Sequence, residues 1–318
     1  MKRDAFIRNA GAVVGAAALT GTAAPAESDF NLTTSTGTIY GTLALPGKSP
    51  APVVLIIAGS GPTDRNGNSR MGIAPESYRL LAGDLAQRGV ASVRYDKRGI
   101  GASASAATKE SDLRFDTFVD DAIAWLKLLA SDARFSRVAV AGHSEGSLIA
   151  MIAVTQAPAA AFVSLEGAGR PAPAVLREQL KGRLSPQDYA TADGIITQLQ
   201  QGRTVADTPA GFAALFRPSV QPYLISWFKY DPAVEIGKVR IPATIVQGTA
   251  DVQVGMVDAQ ALKGGDPSAA LVVIKGMNHV LKYAPDTSSE AAIVAGYQNS
   301  SLPVDPQAVE AVYSAAVK

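Results

Sequence analysis

A serine flanked by glycines, Ser144, constrains this chain more than any other sequence feature. The segment Gly142–Gly146 matches G-x-S-x-G, and it follows directly on the apolar run Arg137–Ala141. An apolar strand, a tight turn and the helix-forming segment Ser147–Val154 are the context in which such a serine is held exposed on a strained turn. Glycine is needed on both sides because larger side chains would collide with the neighbouring backbone. The alternative interpretation is an ordinary strand-to-helix turn whose serine has no chemical role.

A base and an acid follow this serine in the order that nucleophilic catalysis on such a turn requires. The chain has two histidines. His143 lies inside the turn and cannot easily reach its own neighbour, which leaves His279 as the candidate base. Asp251 lies between the serine and His279, after the apolar run Ala243–Val246. Because each residue follows a predicted strand, we expect Ser144, Asp251 and His279 to meet at the carboxyl edge of a parallel sheet.

These motifs resemble those of the α/β-hydrolase superfamily, in particular bacterial serine esterases related to the serine aminopeptidase-like group. The resemblance extends from about residue 30 to the end of the chain. Besides the serine motif, it rests on four stretches: Ile57–Gly67, similar to the oxyanion loop; Asp96–Ser103, similar to D-x-R-G-x-G; G-x-x-D-x-x-V at Gly248–Val254; and Gly276–His279. Many relatives have His-Gly where this chain has Ala58-Gly59. The oxyanion donor is a backbone N–H, so this change need not remove function.

The resemblance implies a fold and a set of catalytic roles. It implies a mostly parallel doubly wound sheet and a triad of Ser144, Asp251 and His279 acting through an acyl-enzyme. The oxyanion hole is expected to use the backbone N–H of Glu145 and one N–H from Ser60 or Gly61. The D-x-x-V pattern favours Asp251 as the triad acid.

A rival acid is Glu166, which follows the predicted strand Ala160–Leu165. From that strand end, a longer carboxylate side chain can sometimes reach the histidine of this fold. If Asp251 is the acid, Glu166 is expected to bind a substrate amine or to stabilise the entrance to the site.

The pattern of strands and helices predicts a single large hydrolase domain over residues 27–318. Apolar runs alternate with amphipathic helices at Glu76–Arg88 and Asp116–Ala130, which favours a parallel doubly wound sheet. A hairpin with strands over residues 30–36 and 38–45 around Gly37 precedes them. Residues 170–239 interrupt the alternation with short helices and many prolines, and the resemblance implies a helical lid inserted after strand six. Aromatic residues near the end of this segment, Trp227 and Phe228 among them, either pack the lid on the body or line an acyl pocket.

Composition excludes several classes of partner and cofactor. The net charge is +1, with 29 basic and 28 acidic residues, so nothing indicates nucleic acid or an anionic surface. The absence of cysteine excludes disulfides, thiol nucleophiles and cysteine zinc sites, and the two histidines lack the spacing of metal ligands. We therefore expect no metal and no cofactor. A small-molecule ester remains the expected partner, and the oligomeric state is left open.

The N-terminus has the pattern of a bacterial signal peptide. Lys2, Arg3 and Arg8 precede the mildly apolar run Ala10–Thr20, and Ala24–Ala26 matches a small-residue cleavage site. We expect cleavage after Ala26 and export to the periplasm or beyond, by the Sec or the twin-arginine route. The apolar run is too short and too weak for a stable membrane span. The alternative is a disordered or helical extension.

Taken together, these features predict a serine carboxylic-ester hydrolase acting on small or medium acyl esters. A peptidase or acyltransferase using the same triad is the alternative, with Glu166 or Glu145 holding a substrate amine. A non-catalytic binding protein of the same fold is a third alternative, which the complete triad disfavours. The acyl and alcohol groups of the substrate are left open.

Overall fold

The structure is a computed structural model that describes residues 26–70, 72–107, 109–284 and 286–318. The predicted signal peptide lies outside the described residues except for Ala26, so cleavage stays a prediction. Within the described residues, no helix has the length and apolarity needed to cross a bilayer.

The described residues form an eight-stranded main sheet and a separate two-stranded hairpin. Two strands at one edge of the main sheet run antiparallel to their neighbours, and the other neighbours pair in parallel, as the alternation predicted. The strands of the main sheet, in spatial order, are β1 (Ala26–Asp29), β4 (Gly41–Leu45), β6 (Ala91–Tyr95), β5 (Ala51–Ile57), β7 (Phe135–His143), β8 (Ala161–Leu165), β9 (Ala243–Gly248) and β10 (Ala270–Ile274); the hairpin joins β2 (Leu32–Thr34) to β3 (Gly37–Ile39).

Helices cover both faces of the main sheet because its central strands are apolar on both sides. In β5, Val53 and Leu55 point into one core, and Val54 and Ile56 point into the other. This alternation follows from the two-residue period of a strand. The first core is closed mainly by α2 (Phe115–Ser131), α3 (Glu145–Ala153) and α9 (Met256–Gly265), the second by α1 (Ser77–Gln87) and α11 (Pro306–Val317); α10 (Glu290–Gln298) is more exposed.

A helical insert separates β8 from β9, and β8 is the sixth main-sheet strand in chain order. The insert has its own small apolar core, which includes Ile196, Phe216 and Leu224. It therefore forms a packed unit beside the main sheet. Its helices are α4 (Ala172–Lys181), α5 (Pro186–Gln200), α6 (Ala213–Phe216), α7 (Gln221–Trp227) and α8 (Pro232–Ile236).

The N-terminal hairpin differs from its prediction. The expected continuous strand over residues 38–45 is divided at Tyr40, where β3 ends and β4 begins to pair in the main sheet. The Tyr40 N–H donates to Ser103 Oγ at 2.9 Å instead of to a strand. Gly37 opens β3 and is not the centre of the turn. The alternation of residues alone could not show that the two halves join different sheets.

Candidate active site

Ser144 lies on a strained turn between β7 and α3, at the carboxyl edge of the sheet. Its backbone φ of 52° is in the left-handed region, which non-glycine residues rarely adopt. A Cβ on Gly142 would lie 2.2 Å from the carbonyl oxygen of Gly146, and one on Gly146 would lie 2.4 Å from that of Ile57. The turn can therefore form only with glycine at both positions, as the sequence motif predicted.

Asp251 and His279 meet at the ends of the adjacent strands β9 and β10. The His279 Nδ1 and Asp251 Oδ2 atoms are 2.7 Å apart, and the Asp251 side chain is fully buried. Asp251 Oδ1 also accepts the backbone N–H groups of Gln253 and Val254, at 2.7 and 3.0 Å. Burial alone would raise the pKa of Asp251. The charge of His279 and its hydrogen bond to Asp251 instead hold this pKa below its ordinary value. The carboxylate thus stays ionised and fixes the imidazole ring.

Ser144 and His279 line the same cavity, but no hydrogen bond joins these two described side chains. Both residues stand at the carboxyl edge, which the sequence predicted from their positions after strands. In enzymes without bound substrate, the contact between nucleophile and base is often long and becomes short only when substrate is bound. The geometry is therefore compatible with proton transfer from Ser144 to His279 once the cavity is occupied.

Glu166 lies behind Asp251 and does not line the cavity, contrary to the expected contact with substrate. Its side chain is fully buried, and its oxygens accept the Gly248 N–H at 2.8 Å and the amide of Gln247. Burial, followed by the charge of Asp251 and a hydrogen bond to it, raises the pKa of Glu166 well above its ordinary value. Its surroundings therefore favour the protonated form of Glu166 beside Asp251, whereas His279 is contacted by Asp251 itself.

The backbone N–H groups of Ser60, Gly61 and Glu145 have no acceptor among the described residues. All three residues line the cavity beside Ser144. The N–H of Gly59 is by contrast already used, since it donates to the Tyr78 hydroxyl at 3.2 Å. The available donors are thus those that the sequence predicted for an oxyanion hole.

His143 connects Tyr78, which holds the oxyanion loop, to the backbone of His279. The sequence did not indicate this role. Its Nε2 donates to the carbonyl oxygen of His279 at 2.7 Å, because a carbonyl can only accept. Nδ1 must then accept the Tyr78 hydroxyl, which is 2.7 Å away. Burial lowers the pKa of His143 to about 3, so this neutral tautomer persists at neutral pH. Tyr78 and His143 together fix the backbone on both sides of the serine.

The cavity has a volume of about 1000 Å³ and lies between the carboxyl edge of the sheet and the helical insert. Trp227 lines it and stacks on Phe115, with ring centroids 6.1 Å apart and planes within 3°. Phe228, the next residue, does not line the cavity but packs against the core of the insert. Of the two aromatic residues expected at an acyl pocket, only Trp227 faces the cavity.

Asp64, Arg65 and Asn66, in the second half of the oxyanion loop, form a turn and do not line the cavity. Asp64 Oδ1 accepts the backbone N–H groups of Asn66 and Asn68, at 2.8 and 2.9 Å. Arg65 pairs with Asp96 at 2.8 Å and so ties this turn to the loop after β6. In the described part of the chain, no group of three His, Asp or Glu side chains is arranged to hold a metal ion.

Part of the chain matches a known protein family. The family described as "Serine aminopeptidase, S33" matches residues 69–205, which include the serine turn. This match covers less than half of the chain. Together with the sheet order, the esterase relative and the solved structures described below, it supports an α/β-hydrolase of the serine hydrolase type.

A sequence relative of this chain carries an esterase name. It is 26% identical over 246 residues to Esterase EstD of Thermotoga maritima, covering 76% of this chain and 57% of that protein. The chain thus spans little more than half the length of that relative.

Solved structures share the fold at low sequence identity. Est1E from Butyrivibrio proteoclasticus, solved with ferulic acid bound, superposes with a TM-score of 0.58 at 17% identity, covering 83% of this chain and 96% of that one. The 2,6-dihydroxy-pseudo-oxynicotine hydrolase gives 0.56 at 15% identity, covering 92% of this chain and 69% of that one. The predicted fold class is therefore confirmed.

Proposed function

We propose that this protein is a serine carboxylic-ester hydrolase that acts on small or medium acyl esters through a Ser144–His279–Asp251 triad. The observation that carries the proposal is the 2.7 Å contact between His279 Nδ1 and Asp251 Oδ2 at the cavity that exposes Ser144. The esterase relative supports the choice of ester over other acyl substrates.

The proposed reaction follows from the positions of these groups. Ser144 Oγ attacks the ester carbonyl while His279 Nε2 takes its proton, and Asp251 stabilises the resulting imidazolium. The tetrahedral oxyanion accepts hydrogen bonds from Glu145 N–H and from the loop at Ser60 and Gly61, each worth about 3–4 kcal/mol in the transition state. His279 then returns the proton to the leaving alcohol, and water hydrolyses the acyl-enzyme by the same steps.

A serine peptidase is the second candidate, favoured by the description of the matching family. An aminopeptidase needs a free carboxylate to hold the substrate amine. Glu145 is engaged by Lys97, with Lys97 Nζ 3.5 Å from Glu145 Oε2, and by the Tyr223 hydroxyl, and Glu166 is buried behind Asp251. Neither acid is therefore free to bind an amine, which favours the esterase.

A panel of p-nitrophenyl esters and aminoacyl-p-nitroanilides tests this choice. We expect hydrolysis of the esters, with kcat/KM for the anilides lower by about 10³-fold or more. Faster hydrolysis of the anilides would establish the peptidase. If neither set is hydrolysed, the esterase and the peptidase proposals both fail.

Trp227 is expected to set the preference for an apolar acyl group. Burying an apolar side chain stabilises it by about 1.5–3 kcal/mol, and part of that energy is lost when the ring is removed. In a series of acyl lengths, Trp227→Ala should lower kcat/KM by about tenfold for the longest esters and little for acetate. Phe228→Ala is the matched control, since its ring packs in the insert and should leave the profile unchanged. An unchanged profile for Trp227→Ala would show that Trp227 only packs the insert on the body.

We also propose that the protein is exported and that its mature form begins at Glu27. Cleavage after Ala26 would keep the ion pair between Glu27 and the buried Arg94, whose Nη2 lies 2.9 Å from Glu27 Oε1. N-terminal sequencing of protein purified from its bacterial host should read Glu27-Ser28-Asp29. A chain that retains Met1 or Lys2 in the cytoplasmic fraction would contradict export.

A further inference from the structure

A buried lysine, Lys97, donates a hydrogen bond to the carbonyl oxygen of Gly59 in the oxyanion loop. Lys97 follows β6, its side chain is 4% exposed, and its Nζ lies 2.6 Å from the carbonyl oxygen of Gly59. The same Nζ lies 3.5 Å from Glu145 Oε2 and 5.2 Å from the ring centre of Phe118. Taking an ammonium group out of water is costly unless partners compensate for it. The buried ammonium group and the partners that compensate for its burial therefore lie next to Ser144, where the proposed reaction takes place.

The contact with Lys97 fixes the direction of the Ser60 N–H. The carbonyl of Gly59 and the N–H of Ser60 belong to one planar trans peptide group, so the two bonds point in opposite directions. The preceding peptide is fixed as well, because the Gly59 N–H donates to Tyr78. A Cβ on Gly59 would lie 3.2 Å from Ser144 Cβ, so this peptide lies against the nucleophile. The Ser60 N–H, which has no acceptor among the described residues, is thus aimed before substrate binds.

Lys97 also reaches the segment that supplies the second donor. Glu145 offers its backbone N–H to the proposed oxyanion, and its carboxylate contacts Lys97 on one oxygen and the Tyr223 hydroxyl of the insert on the other. One ammonium group therefore joins Gly59 to Glu145. Preorganised donors need no rearrangement as charge develops on the substrate, which is the source of their effect.

We propose that Lys97 is a positioning residue that aims the Ser60 N–H into the oxyanion hole and holds it in register with the Glu145 N–H. This inference rests on the proposed acyl-transfer function. It assigns the donor from the oxyanion loop to Ser60 and not to Gly61.

The neighbouring peptide provides a contrast within the same loop. The Gly61 N–H shares a peptide group with the Ser60 carbonyl, which accepts the Thr63 hydroxyl at 3.0 Å. If Gly61 were the donor, Thr63 would be the residue that aims it. Lys97→Met therefore frees the peptide between Gly59 and Ser60, and Thr63→Val frees the peptide between Ser60 and Gly61. Only the substitution that frees the peptide carrying the oxyanion donor should slow the reaction of Ser144.

The experiment measures the second-order rate constant for labelling of Ser144 by a fluorophosphonate, together with kcat and KM for a p-nitrophenyl ester. Phosphonylation uses the same oxyanion donors, so it reports on them even for an enzyme whose substrate is not an ester. We expect Lys97→Met to lower the labelling rate and kcat by about 10–100-fold with KM nearly unchanged. Thr63→Val should stay within about threefold, and Lys97→Arg, which keeps a cationic donor, should recover part of the loss.

A buried lysine elsewhere controls for loss of stability. Lys282 is fully buried and donates from Nζ to the carbonyl oxygen of Asn299 at 2.7 Å. Lys282→Met should lower the Tm as Lys97→Met does, but leave the labelling rate of the folded protein near that of the wild type. Where Lys97→Met does not fold, Lys97→Gln, which is too short to reach Gly59, replaces it.

The outcomes separate this inference from the proposed function. Labelling of Lys97→Met at the wild-type rate, a rise in KM alone, or a larger loss in Thr63→Val would overturn the role of Lys97. Wild-type protein that is labelled at Ser144 but hydrolyses no ester would overturn the proposed function, while the labelling rates still decide the role of Lys97. Failure to label Ser144 in the wild type would overturn both.

Discussion

Ser144→Ala is expected to lower kcat for ester hydrolysis by at least about 10³-fold, since a triad member acts as part of a unit. The chain contains no cysteine that could replace the lost nucleophile. The fold should be unaffected, because the Ser144 side chain makes no hydrogen bond to another described residue and alanine keeps the Cβ. The measurements are steady-state kinetics on a p-nitrophenyl ester and a thermal melt.

The control for Ser144→Ala is a buried serine, Ser147, on the following helix. Ser147 Oγ donates to Ser164 Oγ at 2.8 Å inside the core. Ser147→Ala should therefore lower stability by about 1 kcal/mol, the typical value of one hydrogen bond, and keep most of the activity. Activity of Ser144→Ala within about tenfold of the wild type would remove Ser144 from the mechanism.

Asp251→Asn is expected to lower kcat by about 10³–10⁴-fold, because the imidazole would be held in the wrong tautomer and its cation left unsupported. Glu166→Gln should lower kcat far less, since burial already favours the neutral form of Glu166 and this residue contacts Asp251 and not His279. Both substitutions keep the shape of the side chain, so the comparison isolates charge. A larger loss in Glu166→Gln would exchange the roles of the two acids.

The raised pKa of Glu166 also predicts how stability depends on pH. In the unfolded chain this carboxyl ionises near its ordinary value of 4.5, whereas burial and the charge of Asp251 keep it protonated in the folded protein. Above pH 4.5 folding must take up a proton, which destabilises the wild type by about 1.4 kcal/mol per pH unit up to the folded-state pKa. Glu166→Gln removes this dependence, so its Tm relative to the wild type should rise as the pH increases above 4.5. A pH-independent difference would show that Glu166 is ionised in the folded protein.

The architecture was predictable because it is encoded in short stretches of sequence. The run that becomes β7, the glycines around Ser144 and the apolar spacing of α2 each act over a few residues. Their order along the chain then places Ser144, Asp251 and His279 at one edge of a parallel sheet. The helix over residues 76–88, for example, was expected within one residue of its observed ends, Ser77 and Gln87.

The parts that escaped prediction depend on contacts between distant segments. Tyr78 lies 65 residues from His143, and Lys97 lies 38 residues from Gly59, so no local pattern reveals either hydrogen bond. Glu166 follows a strand as Asp251 does and both side chains are fully buried, so only the contact of Asp251 with His279 separates the two acids. The only sequence feature that indicated a buried contact of Lys97 was its position in the Asp-Lys-Arg-Gly stretch after β6. A cation directly after a buried strand requires a partner.

The central claim is that Ser144 carries the acyl group during turnover, and trapping that intermediate tests it most directly. Wild-type protein is mixed with a p-nitrophenyl ester, quenched in acid within milliseconds, digested and analysed by peptide mass spectrometry. The account predicts a burst of p-nitrophenol and the mass of one acyl group on the peptide that contains Ser144, with neither in Ser144→Ala. An acyl group on another residue, or a burst that persists in Ser144→Ala, would contradict it.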